Sequence, residues 1–217
     1  MSVLTDLKKN LKQLATNSNA EILAVSKMQP IEKVVQAFNE NQIHFAENYV
    51  QEALAKQEQL NELPIRWHFI GHLQKNKVKL IVGKFVRIHS VDSLELAQKI
   101  SSTAKALNCT QAILLQVNVA REESKGGFLE EQLDQAVDVI SKLPNIIVSG
   151  FMTMPPLVDD AELNRIHFKK LKSLADKYKL SELSMGTSSD YQVALEEGST
   201  WIRLGTVLFG ERVRKDT

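Results

Sequence analysis

The sequence has no second cysteine. Cys109 stands alone among 217 residues, so disulfides and cysteine-based metal sites are excluded within one chain, and a reducing compartment is expected. An excess of either charge is missing too. A formal net charge of +1 gives no global reason to expect nucleic acid or an anionic membrane as partner. The amphipathic N-terminus, MSVLTDLKKNLKQLATN, contains no long apolar stretch. Neither a signal peptide nor a spanning helix is read there, and a cytoplasmic location is the expectation. No linker rich in proline, glycine and serine splits the chain. With 43% hydrophobic and 24% charged residues, residues 1–217 read as one globular domain with a substantial core.

What the chain does have is an alternation of short apolar runs with longer amphipathic stretches. After an opening helix over about residues 2–17, ILAVSK reads as the first strand. IHFAEN, IRWHFIG, RIHSVD, AILLQVNV, IIVSGFMTM, ELSM and WIRLGTVLFG follow as strands. Helices are predicted between them at about 31–41, 49–63, 75–82, 94–107, 129–143, 160–178 and 191–197. The runs are short and β-branched, whereas the helices carry stripes at i, i+3 and i+4, such as Val34, Val35 and Phe38, or Leu133, Val137 and Ile140. Ser189 with Gln192 fits a capping box, and Gly198 fits the position just past a helix end.

Eight strand–helix alternations predict parallel strands with right-handed crossovers, and eight is the number that closes a (β/α)8 TIM barrel. An open doubly wound sheet is the alternative. Only the short segment Leu208–Arg214 follows strand eight, so the N-terminal helix is expected to cover the place of the last full helix.

In such a barrel the chemistry belongs at the C-terminal strand ends, and these are polar. Lys27 ends strand one, Glu47 and Asn48 strand two, and His68 with Gly71-His72 strand three. Ser90 and Asp92 end strand four, Asn118 strand five, Met152-Thr153 strand six, Ser184–Asp190 strand seven and Arg203–Thr206 strand eight. A lysine at a strand end is usually solvated, and Lys27 by itself does not rise above that reading. Phosphate binding has more support, because barrels often hold phosphate between the loops after strands seven and eight, at the start of a short extra helix. Loop seven is Met185-Gly186-Thr187-Ser188-Ser189-Asp190, and loop eight is Gly205-Thr206, opening a short apolar segment. Helix capping is the plainer alternative for both. Arg203 lies on the face of its strand shared by Trp201 and Gly205, and a guanidinium there needs a partner. Either Glu47 supplies an ion pair or a ligand's ring nitrogen faces it. His68 and His72 lack a helical HExxH context, so no metal site is expected. Lys75, Lys77 and Lys79 read as a solvated face, and Met152 and Met154 as rim packing.

Seven segments now stand together: AVSKMQP, HFAENYVQEAL, WHFIGHLQKNKVK, HSVDSLELAQKI, VNVAREESKGGF, GFMTMPP and LSMGTSSDYQVALEEGSTWIRLGTVLFGER. With these motifs the chain resembles, over essentially its whole length, the pyridoxal phosphate homeostasis protein family, a single-domain relative of the barrel half of bacterial alanine racemases. The resemblance implies that Lys27 holds pyridoxal 5'-phosphate (PLP) as a Schiff base and that Arg203 faces the pyridine nitrogen. It implies that Ser188, Ser189, Gly205 and Thr206 surround the phosphate, and that Asn48 and His72 line the pocket. Two positions depart from the family pattern: Ala46 where glycine is usual, and Thr187 where methionine is usual.

The resemblance also implies a function. An arginine at the pyridine nitrogen stays cationic, keeps that nitrogen unprotonated and weakens the ring as an electron sink. Alanine racemases add a second acid/base, a tyrosine on an extra β domain. This chain ends soon after strand eight, and Tyr49, Tyr178 and Tyr191 are all predicted in helices. The expectation is a PLP carrier in vitamin B6 homeostasis without strong catalysis, a monomer with apo PLP-dependent enzymes as possible acceptors. An amino-acid racemase or lyase is the alternative, and a phosphate-sugar isomerase using Glu47 as base is a third reading. Lys125, in the Lys-Gly-Gly turn, is a candidate secondary amine handing PLP to or from Lys27, with a solvated loop lysine as the plainer reading.

Overall fold

The structure is a computed structural model and describes residues 2–16 and 19–210. Eight parallel strands close on themselves in sequence order: β1 (Glu21–Val25), β2 (His44–Glu47), β3 (Arg66–Phe69), β4 (Arg87–Val91), β5 (Gln111–Gln116), β6 (Ile146–Met152), β7 (Glu182–Thr187) and β8 (Trp201–Leu204). Closure pairs β1 with β8 through Ile22 with Ile202, Leu23 with Arg203 and Ala24 with Leu204. The barrel is therefore the architecture, and the open sheet is excluded. A one-residue slip at this seam would turn Arg203 out of the barrel and Ile202 in, because strand side chains alternate faces.

Apart from β7, which runs on to Thr187, the strands are shorter than their apolar runs. Strand one stops at Val25, which leaves Lys27 in the turn beyond it. The helices are trimmed as well: α1 (Val3–Leu14), α2 (Ile31–Asn39), α3 (Val50–Gln59), α4 (Val78–Ile81), α5 (Leu94–Ala106), α6 (Leu133–Ser141), α7 (Arg165–Lys177), α8 (Tyr191–Glu196) and α9 (Thr206–Phe209). Single 3-10 turns precede α4, α6 and α7 and account for most of the shortening of these three.

Outward strand residues, Phe45, Phe69, Ile88, Ile113 and Phe151 among them, pack with Val34, Leu96, Ile100, Leu133, Phe168 and Leu171 of the helices in one cluster. Burying each such side chain contributes about 1.5–3 kcal/mol. A second cluster joins Leu4 and Leu7 of α1 to Ile22, Leu195, Ile202 and Leu204. The N-terminal helix thus seals the β1–β8 seam, with the short α9 against it. Of the predicted tail Leu208–Arg214, residues 211–214 lie outside the described residues, as does residue 17 of the predicted opening helix.

The barrel interior is less apolar than its outside. Leu23, Val25, Ala46, Ile70 and Trp201 form a small inner cluster. Below them Arg87 pairs with Glu182 at 2.6 Å, Trp201 Nε1 donates to Glu182 Oε2 at 2.9 Å, and Arg87 lies over the Trp201 ring. His44, His68 and His89 make a buried row across β2, β3 and β4, with Nδ1···Nε2 contacts of 2.9 Å at both junctions. Each neutral imidazole carries one proton, so the row has a single donor direction at a time. His68 therefore belongs to the interior.

Candidate functional site

A cavity of about 310 Å³ opens at the C-terminal end of the barrel. Lys27, Asn48, Ser188, Ser189, Arg203, Gly205 and Thr206 all line it. His72 does not. Its side chain is 74% exposed and lies 3.4 Å from Asp92 Oδ2 in a neighbouring groove.

Lys27 sits in a tight turn. Gln29 N donates to Ser26 O at 3.0 Å, which closes the turn, and Met28 adopts a left-handed φ of 58°. Across the mouth, Asn48 follows β2 in close contact with β3. A Cβ on Gly71 would fall 2.0 Å from Asn48 O, so only glycine lets the two strand ends approach this far.

Loops seven and eight form the opposite wall. Ser188 Oγ accepts from Gly205 N (3.3 Å) and Val207 N (3.4 Å), which ties the two loops together. The predicted capping box at Ser189 does not form: α8 is capped at Asp190, whose side chain makes no cap bond to the helix. The Asp190 carboxylate turns back into the loop instead. Oδ1 accepts from Thr187 N (2.7 Å) and Thr187 Oγ1 (3.0 Å), and Oδ2 accepts from Asn164 Nδ2 (2.9 Å). Asn164 Nδ2 also donates to Pro156 O. This buried acid therefore shapes loop seven and links it to loop six, whose Met154 and Leu157 are further cavity walls. Ser189 is left exposed at the cavity edge. Gly198 does lie just past α8, with φ 89°.

Arg203 reaches the cavity from inside the barrel while only 4% exposed. Its Nη1 donates to Ser184 Oγ (2.9 Å) and its Nη2 to Thr153 O (2.8 Å). Burial pulls its pKa down to about 10, with Asp190 acting in the opposite direction, so it stays cationic at neutral pH. The Glu47 alternative is excluded. That carboxylate is fully buried and takes Ser26 Oγ and Lys56 Nζ, each at 2.7 Å from Oε1. Burial pushes Glu47 up, against the lowering effect of Lys56.

Lys125 is not a freely solvated lysine. Its Nζ pairs with Glu122 at 2.6 Å and donates to Met154 O and Pro155 O, so it braces loop six. The three tyrosines stand at helix ends, and none lines the cavity: Tyr49 caps α3, Tyr178 follows α7 and Tyr191 opens α8. Sequence reasoning missed Gln29 and Ile70 as wall residues. Strand alternation could have found Ile70, whereas Gln29 depends on the path of the turn after Lys27.

Residues 3–213 match the family described as alanine racemase, N-terminal domain. A pyridoxal phosphate homeostasis protein of Aquifex aeolicus is 43% identical over 217 residues, spanning 97% of this chain and 95% of that one. The structure of PipY from Synechococcus elongatus with PLP bound superposes with a TM-score of 0.87 at 35% identity, covering 96% of this chain and 98% of that chain. An alanine racemase of Clostridium difficile, 18% identical, matches with a TM-score of 0.76 over 58% of its length, a likeness of fold alone.

Proposed function

This chain belongs to the pyridoxal phosphate homeostasis protein family, built on the alanine racemase N-terminal barrel, and from that premise we propose that it binds PLP through Lys27 and serves intracellular PLP homeostasis without strong catalysis. One observation carries the reading: a single cavity joins a lysine, two hydroxyl-bearing loops and a buried guanidinium. The walls also fit a polar, flat ligand. Asn48 Oδ1 and Gln29 Oε1 are buried without a hydrogen-bond partner among the described residues, although both side chains line the cavity. A Cβ on Gly205 would meet only Val25, at ordinary contact distances of 3.6–3.7 Å, so the missing side chain keeps space open for a ligand.

When bound, PLP supplies an aldehyde that condenses reversibly with a primary amine and a phosphate that N–H and O–H donors hold. Lys27 offers the amine, and Ser188, Ser189, Thr206 and Gly205 N offer the phosphate donors. Arg203, fixed as a cation, denies the pyridine nitrogen a proton, which argues against strong carbanion chemistry. A racemase also needs a second acid or base on the opposite face, and no tyrosine stands at this cavity among the described residues. Glu47, the base of an isomerase reading, is buried beneath the Lys27 turn, outside the cavity walls. His72 is left out of the set because it faces the next groove. Apo PLP-dependent enzymes in the cytoplasm are the proposed acceptors, with the barrel acting as a monomer.

Borohydride reduction of the PLP-loaded protein, followed by peptide mapping, tests the anchor. The label is expected on the peptide holding Lys27 and is lost from it in Lys27→Ala; a label spread over surface lysines would sink the assignment. For delivery, transfer to an apo-enzyme in the presence of a free-PLP trap should outrun release into solution. Equal rates would remove the delivery role.

A further inference from the structure

The turn that presents Lys27 is held by a second, buried lysine. Lys56 lies on α3 and is only 5% exposed. Its Nζ donates to Ser26 O (2.5 Å), Glu47 Oε1 (2.7 Å) and Glu52 Oε1 (2.7 Å). The same oxygens hold the turn by other bonds. Ser26 O accepts Gln29 N, Glu47 Oε1 accepts Ser26 Oγ, and Glu52 Oε1 accepts Met28 N at 2.6 Å. The residues before and after Lys27 are thus fastened to one ammonium and to the two carboxyl groups it bridges.

Two physical arguments make this more than packing. Burying an ammonium with the Glu47 carboxyl group is costly, and apolar groups of equal volume commonly stabilise a fold at least as well. Stability alone does not account for such a set under a cavity wall. Met28 also occupies the left-handed region, which a side chain with a Cβ disfavours, so the turn needs external bonds to keep it there. We propose that Lys56 is a positioning residue: with Glu47 and Glu52 it locks the Ser26–Gln29 turn and so fixes how Lys27 enters the cavity. The role rests on the reading of Lys27 as the amine that holds PLP.

The test uses the full chain with Lys56→Met and with Glu52→Ala, the latter at a partly exposed side chain that can be removed with less risk to folding. PLP release into a trap is expected to quicken by about tenfold or more in both, with weaker visible circular dichroism per bound PLP. Met28→Asn, which tolerates the left-handed conformation, should restore slow release in the Glu52→Ala background. A purely structural role would not give that rescue. Parent-like release and dichroism in both folded variants would overturn the proposal. If Lys56→Met does not fold, Glu52→Ala and its rescue decide. Exchange of the Gln29 amide in the ligand-free protein separates this idea from the reading it rests on. Lost protection in the variants supports the lock even if the parent binds no PLP, and unchanged protection refutes it.

Discussion

Arg203 is a buried cation with two neutral hydrogen-bond partners, and no carboxylate lies within ion-pair distance among the described residues. Such a group lowers the stability of the ligand-free protein in exchange for a charge at the cavity. Arg203→Met should therefore unfold at the same urea concentration as the parent or higher, by up to about 2 kcal/mol, while PLP affinity falls. Equilibrium denaturation and PLP titration check both halves, and a clear loss of stability would mean that the Ser184 and Thr153 bonds outweigh desolvation. Lys27 and Lys56 show what is legible at this scale. Lys27 is distinguished by motif, whereas Lys56 has the ordinary look of a helix lysine four residues after a glutamate. Nothing in its spacing reports that three oxygens converge on it.

The connection from β7 to α8 is where local chemistry and the expected capping part company. Ser189 and Gln192 have the right spacing for a capping box, but the Asp190 carboxylate is spent on Thr187 and Asn164. A carboxylate acceptor with three donors, one of them buried, is worth more inside the loop than at a six-residue helix. Asp190→Ala should lower stability by about 1.5–3 kcal/mol. It should also weaken PLP by loosening Ser188 and Ser189 while leaving pyridoxal, which lacks the phosphate, bound as before. Comparative titration of the two ligands decides, and equal losses would show that the loop does not read the phosphate. Strand and helix order were legible from periodicity, because a half-buried helix and a buried strand impose different repeats on their apolar residues. Their ends were not, since 3-10 turns and loop hydrogen bonds trim α4, α6 and α7.

Across the whole barrel, the buried histidine row sets an acid limit. Burial, and then neighbouring positive groups, lower His44 to about 4 and hold His68 and His89 well below 6.5. The unfolded chain takes up these protons near pH 6.5 while the folded chain refuses them. Their contribution is thus intact above pH 6.5 and is lost as pH falls toward 4, at up to about 1.4 kcal/mol per pH unit for each histidine. Glu47, pushed up by burial, opposes this at pH values above its ordinary one. Urea midpoints measured from pH 7 to 4.5 should fall steeply, and His44→Gln should flatten the slope. A slope unchanged by that substitution would remove His44 from the account.

By itself the sequence determined the class of fold, because eight alternations of a short β-branched run with a helix of period-3.6 hydrophobicity have few packed solutions. It also marked the candidate anchor and the candidate phosphate loops, because the family resemblance rests on contiguous motifs at strand ends. The tertiary structure decided the rest. Only closure of β1 on β8 turns Arg203 inward, away from Glu47 and into the cavity, and only the approach of α3 brings Lys56 beneath Ser26. The placement of His72 in the next groove and the histidine row across three strands are of the same kind. Each depends on distances between residues far apart in the chain, and a local pattern of residue types carries no record of such distances.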